Sequence, residues 1–154
     1  MSYDISLKDP VTRKTIVLDY PHFMAGGTFA IGGTNELWLN ITYNYSSYYY
    51  EVTDGDDRFA HDKVSAYYAD GTCGPVKTEY GIRGIYGKTG AQSIPMLRDM
   101  ISRIENKYKV NGEWVENEGP KEYYWDETAG NAIKPLYQLI AMAQMRPDGI
   151  WDGD

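Results

Sequence analysis

Apolar and polar residues alternate from the start of the chain. Tyr3, Ile5 and Leu7 stand against Asp4, Ser6 and Lys8, a period of two that predicts a half-buried strand. Asp9-Pro10-Val11-Thr12 follows. Proline presets φ for a turn, and the Asp9 carboxylate is placed to accept a backbone N–H there. Lys14 to Leu18 returns as a second strand, so the chain is expected to open on a hairpin. Between Tyr20 and Gly33 the alternation stops. Gly26-Gly27 and Gly32-Gly33 bracket the apolar run Thr28 to Ile31, which reads as two turns around a short strand. Glu36 to Tyr45 is the clearest strand. Leu37, Leu39, Ile41, Tyr43 and Tyr45 share the core face, and Trp38, Asn40, Thr42 and Asn44 share the other.

Asp54-Gly55-Asp56-Asp57 reads as a turn, Arg58 to Ala69 as a short helix, and Gly71 to Pro75 as a loop around Cys73. Gly81, Gly84, Gly87 and Gly90 recur at intervals of three. They precede a helix that Ser93 is expected to cap, with Pro95 in its first turn and Ile94, Leu97, Ile101 and Ile104 as its apolar stripe. Asn111-Gly112 lies between Tyr108-Lys109-Val110 and Glu113-Trp114-Val115. That is a strong hairpin signal, because both central residues need positive φ. An acidic loop, Glu116 to Glu122, comes next. The last helix is expected over Asn131 to Arg146, with Ile133, Leu136, Leu139, Ile140 and Ala143 facing the core. Pro135 fits only if that helix begins near it; otherwise it marks a kink. Pro147 forbids easy continuation. The tail Asp148 to Asp154 either buries Trp151 or displays it. Strands come early and long helices late. The fold expected is α+β: an antiparallel sheet built from N-terminal hairpins, packed against two main C-terminal helices. A length of 154 residues suits one domain, 1–154, that needs no disulfide or metal to fold.

Composition narrows the class. Cys73 is the only cysteine, so no internal disulfide forms and a reducing compartment is expected. No apolar run approaches the ~18 residues of a membrane span. The first residues lack the basic-then-apolar pattern of a signal peptide, so a cytoplasmic protein without a membrane partner is expected. The net charge of −7, with no clustered Lys and Arg, argues against direct nucleic-acid binding. The acid is uneven. Glu51, Asp54, Asp56, Asp57 and Asp62 face only Arg58, and Glu113, Glu116, Glu118, Glu122, Asp126 and Glu127 face only Lys121. Such clusters keep a protein in solution, or they attract a basic partner. The chain also has fifteen tyrosines. Tyr43, Tyr45, Tyr48, Tyr49 and Tyr50 fall close together, which suits a half-buried strand or an interface.

Few residues point to chemistry. Gly87-Lys88-Thr89 ends like a phosphate-binding loop, but the first glycine of that motif should stand at Ile82. A glycine-rich loop before a helix still offers amides and the helix dipole to an anion. Gly81, Arg83, Gly84, Gly87, Lys88 and Thr89 are therefore the candidate ligands for a nucleotide or phosphate. Asp54, Asp56 and Asp57 resemble a calcium loop only superficially, since Phe59 stands where its glycine belongs and Ser65 where its closing glutamate belongs. Asp148, Asp152 and Asp154 either converge on a hard cation or form an exposed acidic tail; the exposed tail is the expectation. His22 and His61 lack zinc spacing. His61 and Cys73 stay open as a nucleophile–base pair that meets only in space, with an idle or buried thiol the simpler reading. No metal and no cofactor is expected.

Four stretches carry a resemblance: Ser2-Tyr3-Asp4-Ile5-Ser6-Leu7-Lys8-Asp9-Pro10-Val11-Thr12, Trp38-Leu39-Asn40-Ile41-Thr42-Tyr43-Asn44-Tyr45, Gly81-Ile82-Arg83-Gly84-Ile85-Tyr86-Gly87-Lys88-Thr89-Gly90, and Met145-Arg146-Pro147-Asp148-Gly149-Ile150-Trp151-Asp152-Gly153-Asp154. Together they resemble a group of uncharacterised small proteins of bacteriophages, prophages and gut-type Gram-positive bacteria. Lys107 to Lys121 looks like an addition to that pattern, and Pro135 is atypical of it. The resemblance implies a phage or mobile-element context and no activity. The first expectation is thus a phage-type accessory protein that binds, and inhibits or redirects, a host protein such as a defence factor. Its contact surface would be acidic and tyrosine-rich: Asp54, Asp56, Asp57, Glu113, Glu116 and Glu118 with Tyr48, Tyr49 and Tyr50. A small-anion binder at Gly81–Gly90 and an enzyme with a spatially assembled site are the alternatives.

Overall fold

The computed structural model describes residues 2–22, 34–62, 70, 72 and 78–154. β1 (Ser2–Lys8) buries Tyr3, Ile5 and Leu7, as its alternation predicts. The Asp9 carboxylate accepts the Val11 and Thr12 amides at 2.8 and 3.0 Å, which closes the turn. The returning chain touches β1 only at a Lys8–Thr15 bridge and through the Ile16 amide on the Leu7 carbonyl. It then leaves the sheet. β2 (Val17–His22) pairs instead with β3 (Thr34–Glu36). The strand expected over Thr28 to Ile31 lies outside the described residues.

β4 (Trp38–Thr42) buries Leu39 and Ile41, next to the buried Leu37. It ends sooner than expected. The Thr42 hydroxyl accepts the Asn44 amide, which starts a 3₁₀ turn at Tyr43–Tyr45 that runs into α1 (Ser46–Thr53). The tyrosine cluster is therefore helical, not stranded. Tyr45, Tyr48 and Tyr49, spaced three and four apart on one face, are buried in the core. Their phenols are satisfied there. Tyr49 donates to the Ala132 carbonyl at 2.8 Å and Tyr45 to the Tyr124 carbonyl. Burial raises the pKa of all three, so they stay neutral donors.

Asp57–Phe59 forms a 3₁₀ turn, and β5 (His61–Asp62) pairs with β6 (Thr78–Glu79). The helix expected from Arg58 is thus absent over residues 58–62. Its remainder, and Cys73, lie outside the described residues. α2 (Gly90–Tyr108) is capped by Thr89, not Ser93, in a reciprocal box with Gln92. Ser93 is buried one turn in, where its hydroxyl donates to the Gly90 carbonyl and accepts the Trp151 indole N–H at 2.7 Å. Pro95 falls in the second turn. β7 (Lys109–Val110) and β8 (Glu113–Trp114) form the Asn-Gly hairpin, with Asn111 at φ 52° and Gly112 at φ 78°.

α3 (Ala129–Met145) begins earlier than expected, capped by Thr128, and contains Pro135 as a buried interior residue. Its predicted face, Ile133, Leu136, Leu139, Ile140 and Ala143, is buried throughout. The tail forms a strand, β9 (Ile150–Gly153), that pairs antiparallel with β1 opposite β4. The main sheet is antiparallel with order β4-β1-β9, and α2 and α3 pack on each other beside it. The apolar side chains of sheet and helices join one cluster that includes Trp151. No helix among the described residues is long and apolar enough to cross a membrane.

Candidate functional site

The glycine-rich loop is built for packing. Gly84 lies where a Cβ would sit 2.4 Å from the Phe59 Cα, and Gly81 adopts φ 119° with the Tyr50 ring against it. The amides of residues 86–91, next to the helix start, are occupied. Tyr86 and Lys88 donate to Arg83 and Ile85, and Gly87, Gly90 and Ala91 donate to the carbonyls of Trp151, Gly149 and Pro147. The Thr89 amide donates to the Gln92 side chain, and the Thr89 hydroxyl accepts the Gln92 amide. Arg83 donates to the Asp154 main-chain oxygen at 2.7 Å and to the Tyr43 hydroxyl at 3.1 Å, with its guanidinium over the Tyr3 ring. The expected anion site of Gly81, Arg83, Gly84, Gly87, Lys88 and Thr89 is therefore left with few free donors. The Gly84, Gly87 and Thr89 amides and the Arg83 guanidinium are engaged by the loop itself, by Gln92, by Tyr43 and by β9 and its terminal residue.

The acidic tail does not converge. Asp148 pairs with Arg146, Asp152 with Lys8, and Asp154 accepts the Asp4 amide. Among the described residues no group of three or more His, Cys, Asp and Glu is placed to hold a metal.

Asp54, Asp56 and Asp57 divide. Asp54 and Asp57 are exposed. Asp56 ties its turn to α2. It accepts from Arg58 at 3.0 Å and from Arg103 at 2.9 Å, while Arg58 reaches Asp99 at 2.8 Å. Hydrogen bonds from Arg58, then Arg103, hold the Asp56 carboxyl below the usual carboxylate range. Two results are expected. Reversing Asp54 and Asp57 to Lys leaves the melting temperature nearly unchanged, whereas Asp56→Lys lowers it clearly. Because the folded pKa is depressed, this tie stabilises above the unfolded value near ~4 and is lost as pH falls through the folded value. Acid titration of stability should therefore steepen below pH ~4 in wild type and less so in Asp56→Asn. Equal acid profiles would count against the tie.

Of Tyr48, Tyr49 and Tyr50, only Tyr50 reaches the surface, beside an open cleft of about 540 Å³ with Glu51, Asp54 and Glu79 on its walls. Tyr48 and Tyr49 present no ring to a partner, because the core takes both.

The second acidic segment is arranged differently. Glu113 and Glu116 face solvent as expected. Glu118 turns inward, a correction: its carboxylate accepts the Tyr48 hydroxyl at 2.8 Å and the Ala129 amide at 2.9 Å at the start of α3. Gly130 lets Pro120 approach, since a Cβ there would lie 2.3 Å from the Pro120 nitrogen. Buried Asn131 anchors the loop. Its side chain accepts the Lys121 amide at 2.9 Å and donates to the carbonyls of Tyr123 and Asp126 at 3.0 and 3.1 Å. From the other side Asn44 donates to the Trp125 carbonyl at 2.8 Å, and Tyr45 holds that of Tyr124.

The pinned backbone carries two rings outward. Tyr123 and Trp125 stack at 4.6 Å and 13°, and remain 51% and 52% exposed. Tyr124 meets Trp125 edge-on. Glu116, Glu122 and Glu127 are exposed in the same segment. Tyr123 and Trp125 were not among the residues expected from sequence. A signal was present, however. Three successive aromatics, Tyr123-Tyr124-Trp125, cannot share one face of a helix or strand, so one at least must leave the core.

The chain matches no family model, no curated protein and no solved structure.

Proposed function

We propose that the protein acts by binding another protein through the acidic, aromatic segment 113–127. The observation that carries this reading is the stacked, half-exposed Tyr123–Trp125 pair on a backbone fixed by Asn131, Asn44 and Tyr45. Large rings held rigidly lose little entropy on contact and are the usual anchors of interfaces. The rim of Glu113, Glu116, Glu122 and Glu127 suits a partner with a basic face and speeds encounter with it. In the phage or mobile-element setting implied by the resemblance, that partner is a host protein, and covering its basic surface inhibits or redirects it. The glycine-loop alternative is not favoured, because the amides of residues 86–91 are already bonded.

The test is capture from a Gram-positive host lysate with three immobilised proteins: wild type, a Tyr123→Ala/Trp125→Ala double variant, and a Glu113→Lys/Glu116→Lys/Glu122→Lys triple variant. The expected result is a partner that wild type retains, that both variants lose, and that moderate salt releases as the screening length shortens to ~8 Å. Equal retention by all three folded proteins would overturn the assignment of this surface.

A further inference from the structure

We infer that a second site, on the opposite charge logic, binds a phosphate or pyrophosphate group in the cleft between the first turn and β9. The cleft measures about 420 Å³ and is lined by Lys8, Arg13, Gly87, Ile150, Trp151 and Asp152. Its walls are set by two bridges, Lys8–Thr15 and Thr89–Ile150, which bring the turn after β1 and the loop before α2 against β9.

In a chain of net charge −7, this corner gathers cations. Lys8 and Arg13 line it, and Lys14 and Lys88 are the chain neighbours of two lining residues. Asp152 is the one acid on the wall, and it is spent on Lys8 at 2.6 Å. Arg13 has no carboxylate partner among the described residues. A guanidinium without a carboxylate partner beside a concave surface is a donor that phosphate oxygens use in bidentate fashion, and a lysine held by a single exposed carboxylate can be shared with them.

The backbone at Arg13 is unusual for a long side chain. It sits at φ 63°, in the left-handed region that glycine and asparagine occupy cheaply and a long side chain does not. The turn itself is closed by Asp9 and needs nothing from this side chain. The turn sets this conformation, through the Arg13 amide on the Asp9 carbonyl and the Asp9 amide on the Lys14 carbonyl, and glycine would meet it at lower cost, so substituting Arg13 tests its side chain without disturbing the turn. Across the cleft, Gly87 at φ 81° has open space where a Cβ would point, so an anion can approach the backbone there. The site does not use the amides of residues 86–91, which are bonded elsewhere. Its donors are side chains from the first hairpin.

Asp152 fixes the sign of a decisive test. An incoming phosphate competes with it for Lys8, so removing its charge must help. The experiment is an NMR titration of the full chain with inorganic phosphate and with pyrophosphate, following the Gly87 and Arg13 amides. Wild type should bind pyrophosphate more tightly than phosphate. Arg13→Gly suits the backbone conformation, so it should fold at least as stably as wild type and weaken binding tenfold or more. Arg13→Asn, also tolerant of positive φ, is the second variant if glycine loosens the turn. Asp152→Asn should strengthen binding severalfold. Three results would each overturn the proposal: no shift with either anion up to 10 mM, Arg13 variants that bind as wild type does, or weaker binding by Asp152→Asn.

Discussion

Trp151→Ala should cost about 3–5 kcal/mol of unfolding free energy, the range for deleting a fully buried large aromatic. Against a total stability of about 5–15 kcal/mol, the variant will be partly unfolded or strongly heat-labile. Trp151 is 1% exposed and belongs to the single apolar cluster. Its loss would also strip β9 of the side chain that holds it down. The β9 backbone bonds to the 87–88 loop as well as to β1, through Gly87 N–H on the Trp151 carbonyl and Trp151 N–H on the Lys88 carbonyl. One substitution therefore loosens the sheet edge and the start of α2 together. Trp151→Phe keeps much of the volume but removes the indole donor to Ser93, so a smaller loss of about 1–3 kcal/mol is expected. Denaturant titration of the three proteins should rank them wild type, Phe, Ala. A loss below about 1 kcal/mol for the alanine variant would show that the tail is not part of the core.

Asn131→Ala should cost about 2–4 kcal/mol although it removes only a small polar side chain. The substitution leaves the Lys121 amide and the Tyr123 and Asp126 carbonyls without their partner, and each such group costs about 1–3 kcal/mol where water does not replace the bond. The loss is less than the sum because the loop is only part-buried and will admit water. Asn131→Asp should be no better. It keeps an acceptor for Lys121 but sets a carboxylate against two carbonyl oxygens. Hydrogen exchange at the Lys121 amide reports the loop directly and should accelerate in both variants. If the aromatic segment works by being rigid, partner retention falls in both variants even under conditions where α3 stays folded. Unchanged exchange at Lys121 would mean that Asn131 does not hold the loop.

The same contrast between local and distant causes separates what could be read in the chain from what could not. Alternation at Tyr3, Ile5 and Leu7, the stripe from Leu97 to Ile104 and the face from Ile133 to Ala143 all describe real cores, because burial on one face imposes its period locally. Asn111-Gly112 made its hairpin for a local reason too, the positive φ at both residues. At the tyrosine segment the alternation overruns the strand, because Tyr43 and Tyr45 continue the period of β4. The decision to turn lies in the Thr42 hydroxyl on the Asn44 amide and in carbonyls far along the chain that receive the phenols of Tyr45 and Tyr49.

The site depended still more on distance. Glycine spacing before α2 suggested an anion loop, but whether its amides are free is decided by Gly149, Pro147 and Trp151, more than fifty residues away. Acidic clustering makes the 113–127 segment stand out in the sequence. It did not show that Glu118 turns inward to Tyr48 and Ala129, or that Tyr123 and Trp125 turn outward. The α+β class, the core faces of the sheet and of both long helices, and the Asp9 and Asn111-Gly112 turns are legible in the chain alone, since each follows from contacts within a few residues. Only the tertiary structure decided which end of the chain completes the sheet, which polar groups are already bonded and which rings are left in water, because every one of those depends on partners that the chain brings together from far apart.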